Sequence, residues 1–220
     1  MIRLDKRLQA VADFVPVNAL LADIGSDHAK IPVYLLENET IDFAVAGEVA
    51  SGPFEIARKN SEAFPAIKVR LADGLAAIEN EDQVDTIVIA GMGGLLISEI
   101  LEEGKEKLSQ VKHLILQPNN EEAALRNWLA QQKFKIVDEK ILESKGKIYE
   151  IIVAEPGQQD LSEEEAKFGI YLSASEVFQQ KWRRRLAEIN KVLRILPDKE
   201  KDERKKLMSE RAQIEGKLKL

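Results

Sequence analysis

The chain has 220 residues, 45% of them hydrophobic and 32% charged, with a formal net charge of −6. That is enough for one sizeable core and an appendage. The absence of cysteine excludes disulfides and cysteine-type zinc sites, and two histidines, His28 and His113, lie too far apart in sequence to suggest a histidine metal centre, so no metal is expected. No run approaches membrane-spanning length, and "MIRLDKRLQAVADFV" lacks the apolar stretch of a secretory signal. The expected compartment is therefore cytoplasmic, with no membrane partner.

Leu4, Leu8, Val11 and Phe14-Val15 recur at helical spacing and predict an opening amphipathic helix. Apolar runs predict strands at 19–23, 41–47, 67–71, 85–90 and 112–117, and helices fall between them at 28–37, 52–63, 94–103 and 120–132. Strands alternating with helices of this length predict a mainly parallel sheet covered on both faces. "FKIVDEKILES" and "GKIYEIIVAE" are separated by little more than Lys145-Gly146, too short for a parallel crossover, and so predict an antiparallel hairpin. The expected fold class is α/β, a doubly wound Rossmann-like sheet with an antiparallel end.

The pattern changes after Glu155-Pro156-Gly157. "LSEEEAKFGIYLSASEVFQQKWRRRLAEINKVLRIL" reads as one long helix, with Ser162 and Glu165 in the form of a capping box and Leu186, Ile189, Leu193 and Leu196 at three- and four-residue steps. Pro197-Asp198 breaks it, and a second helix resumes with Leu207 and Ile214 on one face. Two helices and a short turn predict an antiparallel, coiled-coil hairpin. The expected domains are 1–157 and 158–220.

Charge is unevenly shared. From Val177 to the end there are fourteen Lys/Arg against seven Asp/Glu, a local balance of +7, which leaves −13 for the rest of a chain totalling −6. Such asymmetry suits an anionic partner met by the tail, although a long solvated helix carries many charges in any case.

In "LADIGSDHAKIP" a strand stops at a glycine turn and a helix begins, the usual cradle of a nucleotide-like ligand. Further acidic residues follow the other strands: Glu48 in "AVAGEVASGP" and Asp73 in "RLADGL". Ligands of open α/β sheets bind beyond the carboxyl ends of the strands, so these groups are expected to line one crevice with Asp23 and Asp27. Glu48, just over twenty residues past Gly25, can accept from both hydroxyls of a ribose, and Asp73-Gly74 can meet an adenine amino group. The loop discriminates between ligands. A pyrophosphate needs successive glycine amides and would be repelled by Asp27, whereas a ligand with an ammonium and a sulfonium suits carboxylates. The pattern favours S-adenosylmethionine over a nicotinamide dinucleotide. Each residue also has a plain structural reading, as a loop cap (Asp23), a helix cap (Asp27, Glu48) or a turn residue (Asp73).

"LADIGSDHAKIPVYLL", "AGEVASGPFEIARKN", "RLADGL", "DTIVIAGMGG" and "LILQPN", in this order, resemble the TrmK family of bacterial transfer-RNA methyltransferases. The resemblance spans the whole chain, helical hairpin included. It implies a class I methyltransferase fold, S-adenosylmethionine as cofactor, and methylation of N1 of adenine 22 in tRNA. By motif position Gly25 and Asp27 would lie along the methionine part of the cofactor, Glu48 at the ribose, and Asp73 with Gly74 at the adenine. Asp23, Ser26, Val49, Gly91 and Met92 complete the expected cofactor contacts. Lys30 stands where an aromatic or small residue is expected.

N1 of adenine carries a lone pair and needs no deprotonation before attack, but methylation spreads positive charge over the ring and its exocyclic amine. A carboxylate near that amine would meet the charge, and Asp27 is the catalytic candidate. At the fourth strand "AGMGG" replaces the Asn/Asp-Pro-Pro-aromatic motif of amino-directed DNA methyltransferases, which fits a ring-nitrogen target approached by backbone at Gly91 and Gly93. Gln117 and Asn119 in "QPNNEE" are candidates for the base edge. A stacked adenine must swing out to react. The RNA body would meet Arg183, Arg184 and Arg185 of "KWRRR" and Lys205 and Lys206 of "ERKKL", extended by Arg3, Lys6 and Arg7. Trp182 also reads as a core residue. Two alternatives stay open: a class I methyltransferase of a protein or metabolite with the hairpin as an oligomerisation arm, and a non-catalytic nucleotide-binding module. For the main reading a monomer is favoured.

Overall fold

The structure, a computed structural model, describes residues 2–197 and 199–219. Its contacts gather the chain into two compact units, 1–171 and 172–220.

The first unit opens with helix α1 (Lys6–Ala12), capped by the Asp5 carboxylate accepting from the Leu8 amide and burying Leu8, Val11 and Ala12. Five strands then alternate with helices: β1 (Leu20–Ile24), α2 (Lys30–Glu37), β2 (Phe43–Glu48), α3 (Ser51–Asn60), β3 (Ile67–Leu71), β4 (Thr86–Met92), α4 (Gly94–Glu103), β5 (His113–Pro118) and α5 (Glu122–Gln131). Every expected strand and helix of this stretch is present, displaced by at most a few residues at its ends. β6 (Phe134–Ser144) and β7 (Lys147–Pro156) form the expected antiparallel hairpin.

The strands make one seven-stranded sheet in the order β3-β2-β1-β4-β5-β7-β6, parallel from β3 to β5. β7 joins β5 antiparallel. Chain order reverses between β1 and β4, and at that switch point the two halves of the sheet leave a crevice beyond the strand ends. Alternating side chains build a core on each face. Leu21 and Ala44 pack in the layer with α1 and α2, while Ala22, Ile24, Ile87 and Ile89 pack in the layer with Ile97, Leu101, Leu125 and Leu129 of α4 and α5.

One long helix was expected after Leu161, and the structure replaces it with two. Helix α6 (Glu163–Phe168) carries the Ser162–Glu165 capping box and stops at Gly169, whose φ is 77°. Beyond it, the amides of Ile170 and Tyr171 donate to the Glu139 carboxylate at 2.5 and 3.1 Å. The buried Arg126 guanidinium bonds Glu139 at 2.7 Å, Glu150 at 2.5 Å and the Ala166 carbonyl at 3.1 Å. This ionic knot ties residues 166–171 to the sheet, so the compact units meet at Tyr171/Leu172 where composition suggested 157/158. Periodicity hides such a break because Gly169 falls inside a run of otherwise good helix formers.

The second unit comprises α7 (Glu176–Ile195), capped by Ser175, and α8 (Lys201–Leu218). Arg185 bonds Glu210 through Nε and Nη2 at 2.8 and 2.9 Å, and Arg204 donates to the Leu196 carbonyl at 3.0 Å, so the helices run antiparallel. Phe178, Trp182 and Ile189 of α7 and Leu207, Ile214 and Leu218 of α8 are buried, at the four- and seven-residue steps of a seam. Trp182 is thus a core residue. Of the expected break at Pro197-Asp198, Asp198 lies outside the described residues.

Candidate active site

The loop after β1 is held by backbone geometry that few residues adopt. Gly25, Asp27, His28 and Ala29 all have positive φ, at 68°, 44°, 75° and 57°. Asp27, His28 and Ala29 are not glycine, and each costs strain that the surroundings must offset. The anchors are visible: the Gly25 and Ser26 amides donate to the Gly47 carbonyl at 2.9 and 3.3 Å, and the His28 amide donates to Glu48 Oε1 at 3.4 Å. At Gly25 a side chain is excluded twice over, by its φ and because a Cβ would stand 2.1 Å from Met92 Cε.

Asp23 ends β1 only 2% exposed, accepting from the Ser26 hydroxyl at 2.6 Å. Burial, reinforced by the neighbouring Glu48 and Asp27 carboxylates, pushes it up to about 7 against a relief from Ser26 and Arg7. Glu48, at the end of β2, is 6% exposed and is also raised by burial. Neither makes a salt bridge among the described residues. Asp27 differs: it is exposed, and Lys30 Nζ at 2.9 Å holds its carboxyl below the ordinary value. His28 Nδ1 stands 3.5 Å from its other oxygen. Asp73 is exposed before the 3-10 turn Gly74–Ala77 and makes no capping bond to it.

Several plain readings of these residues therefore fail. Ala29 and Ala50 hold the N-cap positions of α2 and α3, both without a side-chain cap bond, so neither Asp27 nor Glu48 is a capping residue. Glu121 holds the N-cap position of α5, likewise without a side-chain cap bond, so neither Asn119 nor Asn120 caps that helix. Asp23, Gly25, Ser26, Asp27 and Glu48 come together at the ends of β1 and β2. Asp73 and Gly74 follow the adjoining β3, and Gly91 and Met92 end β4. Val49, 69% exposed, stands at the rim.

The residues expected at the substrate divide. Gln117 is fully buried, its Nε2 donating to Pro118 O at 2.8 Å and Asn119 Oδ1 at 3.2 Å while Oε1 accepts from Arg7. With its amide committed inside the protein, Gln117 offers nothing to a base edge, and that expectation is corrected. Asn119 is exposed, with Nδ2 donating to the Gly91 carbonyl at 2.6 Å. Arg7, expected on a basic surface, instead reaches the crevice: Nη1 lies 2.5 Å from Gln117 Oε1, and its guanidinium carbon is 5.6 Å from the centre of the Tyr149 ring. Sequence gave no signal of this, because only the packing of α1 directs that side chain. Arg3 and Lys6 stay exposed. In the second unit Arg183 and Arg184 are exposed and line an open groove along α7 with Gln179 and Gln180. Arg185 pairs with Glu210 and Glu188, so it braces the hairpin.

The described residues hold no group of three or more His, Cys, Asp or Glu suited to a metal ion. What they hold is a crevice whose two buried carboxylates make no salt bridge among the described residues and are both raised by burial. That arrangement has a cost unless a cationic ligand completes it.

Comparison with known proteins agrees with this geometry. A Bacillus subtilis tRNA (adenine(22)-N(1))-methyltransferase is 43% identical over 200 residues, covering 84% of this chain and 82% of its own. The crystal structure of Streptococcus pneumoniae Sp1610 in complex with S-adenosyl-L-methionine superposes with a TM-score of 0.91 at 49% identity, covering 99% of this chain and all of the other. A Streptococcus agalactiae protein of the NADB-Rossmann superfamily gives a TM-score of 0.95 at 44% identity, over 99% of this chain and 98% of its own. Residues 21–217 match the family described as TrmK, tRNA (adenine(22)-N(1))-methyltransferase, and the chain belongs to that family.

Proposed function

We propose that the protein transfers a methyl group from S-adenosylmethionine to N1 of adenine 22 of tRNA. The observation that carries this reading is the pair of buried, unpaired carboxylates, Asp23 and Glu48, at the switch point of the sheet. They suit a ligand bearing an ammonium and a ribose and would repel a diphosphate. When bound, the cofactor supplies a methyl on a sulfonium, open to in-line attack by the lone pair of N1.

The residues of the chain then divide the work. Asp23, Ser26 and Asp27 hold the methionine end, beside Gly25, against which the Met92 methyl packs. Glu48 accepts from the ribose, and Val49, Asp73 and Gly74 meet the adenine. Gly91 and Met92, at the end of β4, form the wall between cofactor and target. Asp27 is the catalytic residue. Because Lys30 keeps its carboxyl low, it stays ionised and meets the positive charge that spreads to the exocyclic amine. Asn119 is the remaining amide for the base edge. The helical hairpin, with Arg183 and Arg184 and with Lys205 and Lys206, meets phosphates of the tRNA body. The chain acts as a monomer in the cytoplasm.

The direct test incubates the protein with unmodified tRNA and S-adenosylmethionine and then analyses nucleosides by mass. 1-methyladenosine at position 22 is the expected product, and a methylated protein or metabolite without methylated RNA refutes the reading. Asp27→Ala is expected to lower kcat by about 100-fold or more while cofactor affinity changes less. A loss confined to affinity would make Asp27 an anchor and not a catalytic group.

A further inference from the structure

We infer that the tip of the β6–β7 hairpin and the adjoining start of α1 form a second RNA grip, which takes backbone phosphates beside the target adenine; this rests on the RNA reading above. The geometry begins in the sheet. β5 pairs β7 only from Leu114↔Ala154 to Leu116↔Ile152, whereas β6 and β7 stay paired as far as Ser144↔Lys147. Residues 147–151 of β7 therefore run beyond the last β5 pair in a two-stranded ribbon, about 16 Å long at about 3.3 Å per residue. β5 is parallel to β4, and β4 to β1, so the ribbon projects at the end of the sheet where the crevice opens. Lys145 and Gly146, with φ of 52° and 78°, close it in a two-residue turn.

Charge selects the occupant. Residues 1–171 hold eighteen Lys/Arg against thirty Asp/Glu, a balance of −12. An adenine that swings into the crevice draws its flanking phosphates to this acidic body, and they need cations at the mouth. The hairpin tip supplies them. Lys145 and Lys147 are exposed there, and Lys145 Nζ lies 3.1 Å from Asp5 Oδ2, which fastens the tip to the N-cap of α1. Arg3 and Lys6, both exposed, flank Asp5 in the chain. Asp5 offsets Lys145 alone, and Glu143, paired with Ile148, stands on the opposite face of the ribbon from Lys147. Arg3, Lys6 and Lys147 are left without an acidic partner among the described residues. By strand alternation Lys147 shares its face with the half-buried Tyr149, whose ring meets the Arg7 guanidinium. Cations beside an aromatic ring suit a single RNA strand, with phosphates on the one and a base on the other. An acidic protein would also suit the cations, but the face leads toward the crevice, where the base has to arrive.

The test neutralises the three free cations together in the full chain, as Arg3→Gln, Lys6→Gln and Lys147→Gln. Affinity for unmodified tRNA is measured between about 50 and 200 mM salt, with S-adenosylmethionine affinity and methyl-transfer kinetics alongside. The variant is expected to bind tRNA about 10- to 30-fold more weakly at the lowest salt, and its slope of log affinity against log salt should be shallower by about 2. KM for tRNA should rise with kcat within about twofold, and cofactor affinity should not change. Adding Arg183→Gln and Arg184→Gln should weaken tRNA binding further by their own separate factor, as for two independent grips. Unchanged tRNA affinity and salt slope overturn the inference, as for a face that meets an acidic protein or nothing. So does weaker binding at an unaltered slope, the mark of a structural defect, or a fall in kcat with KM unchanged. If the unaltered protein shows no salt-dependent tRNA binding, the RNA reading fails first and takes this inference with it.

Discussion

Two clusters of buried carboxylates in the first unit, built from similar residues, have opposite meanings. Glu139 and Glu150 share one buried arginine, and Glu139 also accepts from two backbone amides. Every strong acceptor there has a donor from the chain itself, so the cluster is a fastening. Asp23 and Glu48 are as deeply buried, yet their partners are a hydroxyl and a distant amide, and both are pushed up by burial. A charge buried with its counterion supports a fold, whereas a charge buried without one marks where something else is to bind.

The largest effect expected from this contrast lies on the fastening side. Arg126→Met leaves two carboxylates buried without a cation and should cost about 3–5 kcal/mol, read from the urea midpoint. A loss under about 1 kcal/mol would erase the distinction. On the ligand side, Glu48→Gln should leave the unfolding midpoint unchanged or higher while weakening cofactor binding about 10- to 100-fold. A variant that unfolds as Arg126→Met does, with cofactor affinity intact, would show Glu48 to be structural.

Asp23 sharpens the comparison through pH. Its folded value near 7 lies above the ordinary 3.8, so the ligand-free folded protein holds this proton more tightly than the unfolded chain does. The associated stability is full below about pH 3.8, declines as pH rises through 7, and is flat above that. A cationic ligand favours the carboxylate, so cofactor affinity should fall as pH drops below about 7, by up to about tenfold per pH unit. Asp23→Asn should flatten both trends, leaving only what the raised Glu48 contributes, and calorimetry at about pH 6 and 8 would check it. The smallest effect belongs to Lys30. Its exposed pair with Asp27 is weak, so Lys30→Met should change cofactor affinity by no more than about fivefold, upward, as Asp27 is freed for the ligand.

Much of this molecule could be read along the chain. Alternating apolar runs and helices gave the sheet and its antiparallel end, and acidic residues recurring just past strands gave one wall of the crevice. Gln117, Arg185 and Arg7 were placed less well for a shared reason: each is polar, each belongs to a plausible motif, and only burial or a cross-element partner separates a ligand contact from a brace. Gly169 is hidden inside a helical run because the break there is fixed by Glu139, about thirty residues away, which takes the Ile170 amide.

The sequence by itself determined the strand and helix order, the glycine turn after β1 and the sign of the charge at each strand end, because these depend on local periodicity and on residue identity. Only the tertiary structure decided which carboxylates are compensated and that α1 delivers an arginine into the crevice. Desolvation and pairing are set by neighbours distant in the chain, and no local pattern of residues encodes them.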